Sequence, residues 1–166
     1  MGVAADQDNR DTVLEPEAFA RALGRDARLI GIDLGTKTLG LALSDVTRSI
    51  ASGLTTLRRT RFAADAAQLL ALATEHGVGG FVLGLPFNLD GSQGPRVQAT
   101  RAFARNLGRL SPLPILLWDE RLSTAEAERS LLEADASRKR RAEVIDKVAA
   151  TLILQSALNR LKLFDT

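Results

Sequence analysis

The chain of 166 residues contains no cysteine and no tyrosine, one histidine and one tryptophan. Each shortage excludes some chemistry. Without cysteine there is no disulfide, no thiol nucleophile and no zinc site of the Cys/His type. A Ser–His–Asp triad would have to use His76, which sits in Glu75-His76-Gly77. That tripeptide reads as a helix end, where the dipole favours a cation and glycine supplies the left-handed cap. Six phenylalanines and Trp118 lie within apolar runs and read as core rather than as a base-stacking platform. They also offer little surface for stacking sugars, which counts against a glycosidase.

Long apolar runs are missing too. Val148 to Leu154 is far too short to span a bilayer. The polar start, with Asp6 and Asp8, has no secretory apolar region, so a cytoplasmic protein without membrane contact is expected. The length suits one domain with a proper core. The chemistry must therefore come from carboxylates, hydroxyls, lysine or a bound metal.

Charge is present and uneven. The net charge is +2, yet residues 1–27 carry a net −3, which leaves +5 for the remainder. The positive charge clusters at Arg58-Arg59-Thr60-Arg61 and at Arg138-Lys139-Arg140-Arg141. Either cluster could attract a polyanion or form a solvated basic turn, and both readings stay open.

Residues 1–27 read as an extension with a short helix over 15–23 and a disordered beginning, and 28–166 as the domain. Apolar runs at 28–33, 38–44, 54–57, 80–85 and 114–118 predict five strands, the first two joined by a tight turn at Gly35-Thr36-Lys37. Helices are expected over 62–76, 95–107, 123–133 and 139–161, the second opened by Pro95 and the third by the capping box Ser123-Thr124-Ala125-Glu126. Tight early hairpins followed by strand–helix alternation imply an α/β domain whose mixed sheet carries helices on its faces.

Three acidic positions stand out. Asp33 ends the first strand, and Asp119-Glu120 end the last, where α/β sheets form sites. Asp146 lies beside a small apolar helix face formed by Ala142, Ala149, Ala150 and Ile153, where a lone carboxylate needs compensation. Lys147, Arg141 or a backbone donor could supply it. So could a divalent cation shared with Asp33 and Glu120, because Mg²⁺ or Mn²⁺ takes oxygen ligands and substrate phosphate. Two such ions would assist phosphodiester hydrolysis, Asp33 bridging them while Glu120 and Asp146 complete one shell each.

Four stretches together resemble the YqgF/RuvX family, described as Holliday-junction resolvases and as nucleases for the 5′ end of pre-16S rRNA. They are Gly31-Ile32-Asp33-Leu34-Gly35-Thr36-Lys37 through Ser44-Asp45; Gly84-Leu85-Pro86 through Gly94-Pro95-Arg96; Asp119-Glu120-Arg121-Leu122-Ser123-Thr124; and Arg138-Lys139 through Val144-Ile145-Asp146-Lys147. The resemblance spans roughly residues 28–158. One departure is Asp135, at a turn where relatives often have glycine. The resemblance implies a ribonuclease H-like fold with five strands and an acidic site of Asp33, Glu120 and Asp146. Asp119 is a less certain member, since strand alternation points it away from Glu120.

Within that setting, Lys37 on the Gly35-Thr36-Lys37 turn, Arg96 at a helix start and the run Arg138, Lys139, Arg140 and Arg141 are candidate nucleic-acid contacts. Two substrates remain open, a ribosomal RNA precursor, preferred on the resemblance, and branched DNA. Symmetrical junction cutting would require a homodimer, and RNA trimming would not. A nucleic-acid-binding protein that cuts nothing is the alternative outside enzymology. Asp33-Leu34-Gly35-Thr36 also resembles the first phosphate motif of the actin and Hsp70 ATPases, which close two domains over ATP; this chain has room for one.

Overall fold

A computed structural model describes residues 11–122, 125–134 and 148–165. Five strands form one sheet: β1 (Arg28–Leu34), β2 (Thr38–Ser44), β3 (Ala51–Arg58), β4 (Val78–Leu85) and β5 (Ile115–Asp119), in the order β3-β2-β1-β4-β5. β1, β2 and β3 pair antiparallel, while β4 and β5 join parallel to β1 and to each other. The helices are α1 (Pro16–Ala22), α2 (Phe62–Glu75), α3 (Pro95–Leu110), α4 (Ala125–Ala134) and α5 (Val148–Leu161).

Side-chain alternation sorts the apolar residues onto two faces. On one face Ile30, Ile32, Leu41, Phe81, Leu83 and Ile115 are buried with Ala66, Leu69 and Ala73 of α2 and Phe103, Ala104 and Leu107 of α3. On the other, Leu29, Ala42, Val82, Leu116 and Trp118 meet Ala150, Ile153, Leu154, Ala157 and Leu158 of α5. The mixed sheet with helices on both faces is therefore as the sequence indicates. His76 caps α2, and Gly77 follows at φ +65°, where glycine is favoured.

α5 lies unusually close to the sheet. A Cβ on Gly31 would stand 2.7 Å from Leu154 Cβ and 3.1 Å from the Ala150 carbonyl oxygen, so the helix backbone occupies the space of a side chain. Ser156 then accepts a hydrogen bond from the Trp118 indole (3.1 Å) and donates one to the Leu122 carbonyl (2.7 Å). Those two bonds straddle the chain at Glu120. The helix pins both the middle of the sheet and the turn after β5.

The segment before β1 is packed onto this frame. Ile115 donates to the Thr12 carbonyl (2.8 Å) and Leu14 donates to the Ile115 carbonyl (2.9 Å), a parallel bridge along the outer side of β5. Phe19 of α1 is fully buried in the α5 layer, with Leu14 and Leu23 packed beside it. Residues 12–23 thus add core to the domain instead of hanging from it. Residues 1–10 and the position of Asp135 fall outside the described residues.

Truncating that anchor is expected to be felt globally. Phe19→Ala should lower the unfolding free energy by about 3–5 kcal/mol in a single urea transition. A loss below about 1 kcal/mol would mean that the segment packs without contributing to the domain's stability.

Candidate nuclease site

Asp33 is the sixth residue of β1, on the same face as Gly31 and hence on the α5 side. Its cross-strand partner on β2 is Gly40. On the other side, Ile32 pairs with Leu83, so Gly84 is the next residue beside Asp33 on β4, and Gly84 itself pairs with Trp118 of β5. A row therefore runs Gly40, Asp33, Gly84, Trp118, with the carboxylate flanked by two residues that lack side chains.

Glu120 uses that space. It opens the short 3₁₀ turn Glu120–Leu122 after β5, and its side chain folds over Gly84. A Cβ on Gly84 would lie 2.8 Å from Glu120 Oε1 and 2.5 Å from Ile153 Cδ1. Glycine here lets a glutamate from β5 cross β4 toward an aspartate on β1.

The electrostatics agree with that geometry. Burial pushes the Asp33 carboxyl above its ordinary range, and the Arg96 guanidinium pulls in the opposite direction. Glu120 is raised as well, first by burial and then by the negative charge of Asp33, again opposed by Arg96. Two half-buried carboxylates, both raised by burial and one raised further by the charge of the other, form a strained anionic pair, which a cation would relieve. Arg96, exposed on the first turn of α3 just after Pro95, contributes positive charge at the edge of this pair.

Asp119 behaves differently. Arg121 grips it through Nε and Nη2 at 2.7–3.1 Å, and those bonds hold its carboxyl below the usual range. Arg121 also stacks at 5.1 Å from the centroid of Phe87, tying the turn after β5 to the loop after β4. Lys37 is exposed on the β1–β2 turn, where Gly35 donates to the Thr38 carbonyl at 2.9 Å. Asp146 and the run Arg138, Lys139, Arg140 and Arg141 lie outside the described residues, as do Ser123 and Thr124 of the expected capping box. Among the described residues, no cluster of three or more metal-ligating side chains occurs. What is brought together is the pair Asp33 and Glu120, with Arg96 in electrostatic range.

The roles of Gly40 and Gly84 escaped the reading of the sequence. Gly84 was visible as part of a motif, but its contact with Glu120 depends on the β4–β5 register, which no local pattern announces.

Comparison with known proteins now adds to this geometry. A family model described as RuvX, Holliday junction resolvase, matches residues 27–160. The chain belongs to the RuvX family. A protein of Paracoccus denitrificans (strain Pd 1222) named "Putative pre-16S rRNA nuclease" is 64% identical over 146 residues, covering 88% of this chain and 92% of the relative. One of the same name from Cereibacter sphaeroides (strain ATCC 17025) is 63% identical over 145 residues, covering 87% and 91%. Among solved structures, Thermus thermophilus RuvC in complex with a Holliday junction substrate superposes with a TM-score of 0.55 at 15% identity, covering 83% of this chain and 97% of RuvC. At that identity the likeness establishes the fold, the ribonuclease H-like architecture of the resolvases, and nothing about residue roles. No helix among the described residues is long and apolar enough to cross a membrane.

The raised carboxyls have a consequence for stability. Between the unfolded-state values, 3.8 for aspartate and 4.5 for glutamate, and the higher folded-state ones, the native state holds protons that the unfolded state has lost. Stability therefore falls as pH rises through this window. Asp33→Asn and Glu120→Gln should each raise the melting temperature at pH 7 without metal and flatten its decline above pH 4. Unchanged melting curves would mean that the two charges are not strained in the folded protein.

Proposed function

We propose that this protein is a metal-dependent endonuclease that processes the 5′ end of pre-16S rRNA, with Asp33, Glu120 and Asp146 as its catalytic and metal-binding carboxylates. The observation that carries the reading is the placement of Glu120 across Gly84 toward Asp33, whose charge raises the Glu120 carboxyl beyond the effect of burial. The relatives' name supplies the substrate. Asp146 is assigned on the resemblance of Val144-Ile145-Asp146-Lys147 to the family's motif.

The donor set fits Mg²⁺ or Mn²⁺, since both described groups are hard oxygen donors with unrelieved negative charge. Two such ions bound there would supply the charge that activates a water and stabilises the departing 3′ oxygen. The chain's own contribution is placement. Asp33 is fixed at the sheet centre and Glu120 is held by the Trp118–Ser156–Leu122 bonds on either side of it. Arg96, at a helix start, can orient a phosphate oxygen beside the pair, and Lys37 and the 138–141 run would hold the flanking backbone. Asp119, engaged by Arg121, serves better as a brace for the turn that carries Glu120. The family's resolvase description favours branched DNA as a second substrate, which would bring two copies together on one junction. Processing of rRNA would take place in the cytoplasm.

Labelled pre-16S leader RNA and a four-way DNA junction, each with Mn²⁺ and with chelator, test the proposal. Asp33→Asn, Glu120→Gln and Asp146→Asn should each reduce cleavage by about 10²-fold or more, and chelator should abolish it. Cleavage that survives Asp33→Asn or chelation rejects the site, and preference for the junction rejects the RNA reading.

Gly84→Ala offers a finer check. The added methyl meets only the far ends of Glu120 and Ile153, so the fold should persist while Glu120 is displaced. A shift of about 1 Å can cost on the order of 10²-fold in rate. Wild-type cleavage by Gly84→Ala would show that Glu120 need not lie over Gly84.

A further inference from the structure

The cluster Arg58-Arg59-Thr60-Arg61 is not used by the site described above, and the sheet places it beside that site. Asp33 pairs with Gly40 and Gly40 with Thr56, so these three share one face of the sheet. Two residues on, Thr38 pairs with Arg58. Arg58 therefore stands on the same face as Asp33, two strands away and two residues further along, about 12 Å at the usual strand spacing and rise. It is exposed, as is Lys37 on the adjoining turn.

Arg59 has a different job. Its side chain donates to the Gly35 carbonyl at 2.6 Å, and its backbone N–H donates to the Lys37 carbonyl at 2.8 Å. It straps the end of β3 to the turn that follows Asp33. The strap fixes the end of β3, which carries Arg58, against the turn that carries Lys37. Two adjacent exposed cations, braced by a third, suit an anion with repeated charges better than a single small one.

We infer that Arg58, with Lys37, forms a phosphate-contacting rim that receives the sugar–phosphate backbone of a nucleic-acid strand within a few nucleotides of the Asp33–Glu120 site. Arg59 is a positioning residue and Arg58 a binding residue. The inference rests on the nuclease reading for what lies at the carboxylates, but the rim can be tested by binding alone.

Binding of fluorescein-labelled pre-16S leader RNA to the full chain would be measured from 50 to 200 mM salt, with Asp33→Asn as the background so that nothing is cut. Arg58→Ala should weaken binding about five- to tenfold at 0.1 M salt and reduce the slope of log K against log salt by about one. Arg58→Lys should retain most of that slope. Arg105→Ala, a change at an exposed arginine over two turns into α3, should leave it unchanged. Mn²⁺ affinity, measured by calorimetry on chains with Asp33 intact, should be the same with and without Arg58→Ala. A slope unaffected by Arg58→Ala, or an equal loss with Arg105→Ala, overturns the rim. Loss of slope in a protein that cuts neither polymer would uphold the rim and remove the nuclease reading.

Discussion

The structure depends on how closely α5 approaches the sheet. At Gly31 the helix backbone occupies the volume where a side chain would stand, and at Gly84 Ile153 does much the same. The Gly31 contact is unforgiving, because a packed interior does not absorb an extra methylene at a backbone contact without strain, whereas at Gly84 the neighbours are side chains that can move. The same closeness brings the helix within reach of Ser156's two partners, Trp118 and Leu122. Glu120 sits between those partners. The packing of one helix thus sets the position of a carboxylate contributed by a strand at the other side of β4.

That arrangement explains why the site is electrostatically costly and why the fold tolerates it. Asp33 and Glu120 are both half-buried, and the protein supplies Arg96 as partial compensation without a direct ion pair to either among the described contacts. A full ion pair would neutralise the charges and leave nothing for a cation or phosphate to bind. Asp119 shows the contrast, since a tightly held arginine makes it a structural group. Neighbouring acids in one sequence motif are thereby divided between two tasks, Asp119 at the end of β5 and Glu120 on the turn that follows it.

Much of this was legible from residue patterns. The hairpin at Gly35-Thr36-Lys37, the cap at His76-Gly77 and the start of α3 at Pro95 all rest on local backbone chemistry, and each lies where that chemistry puts it. Asp33 and Glu120 were recognisable as acids at strand ends. Features that depend on register or distant packing were not. Leu14, Phe19 and Leu23 showed helical spacing, yet nothing local reveals that their partner is α5. The Arg58–Arg61 cluster remained ambiguous until the β2–β3 pairing set Arg58 on the face of Asp33.

The short bridge that residues 12–14 make with β5 bears on how copies of this chain could meet. An open sheet margin invites a foreign strand, and proteins commonly cover or charge such margins. Here one margin is already occupied by the chain's own beginning, over Thr12 to Leu14. The opposite margin, β3, ends in the exposed Arg58, a charge of the kind that discourages an incoming strand. A strand laid along either flank would thus meet the chain's own backbone at the start of β5 or a cation at the end of β3, so both margins carry a local deterrent to sheet extension.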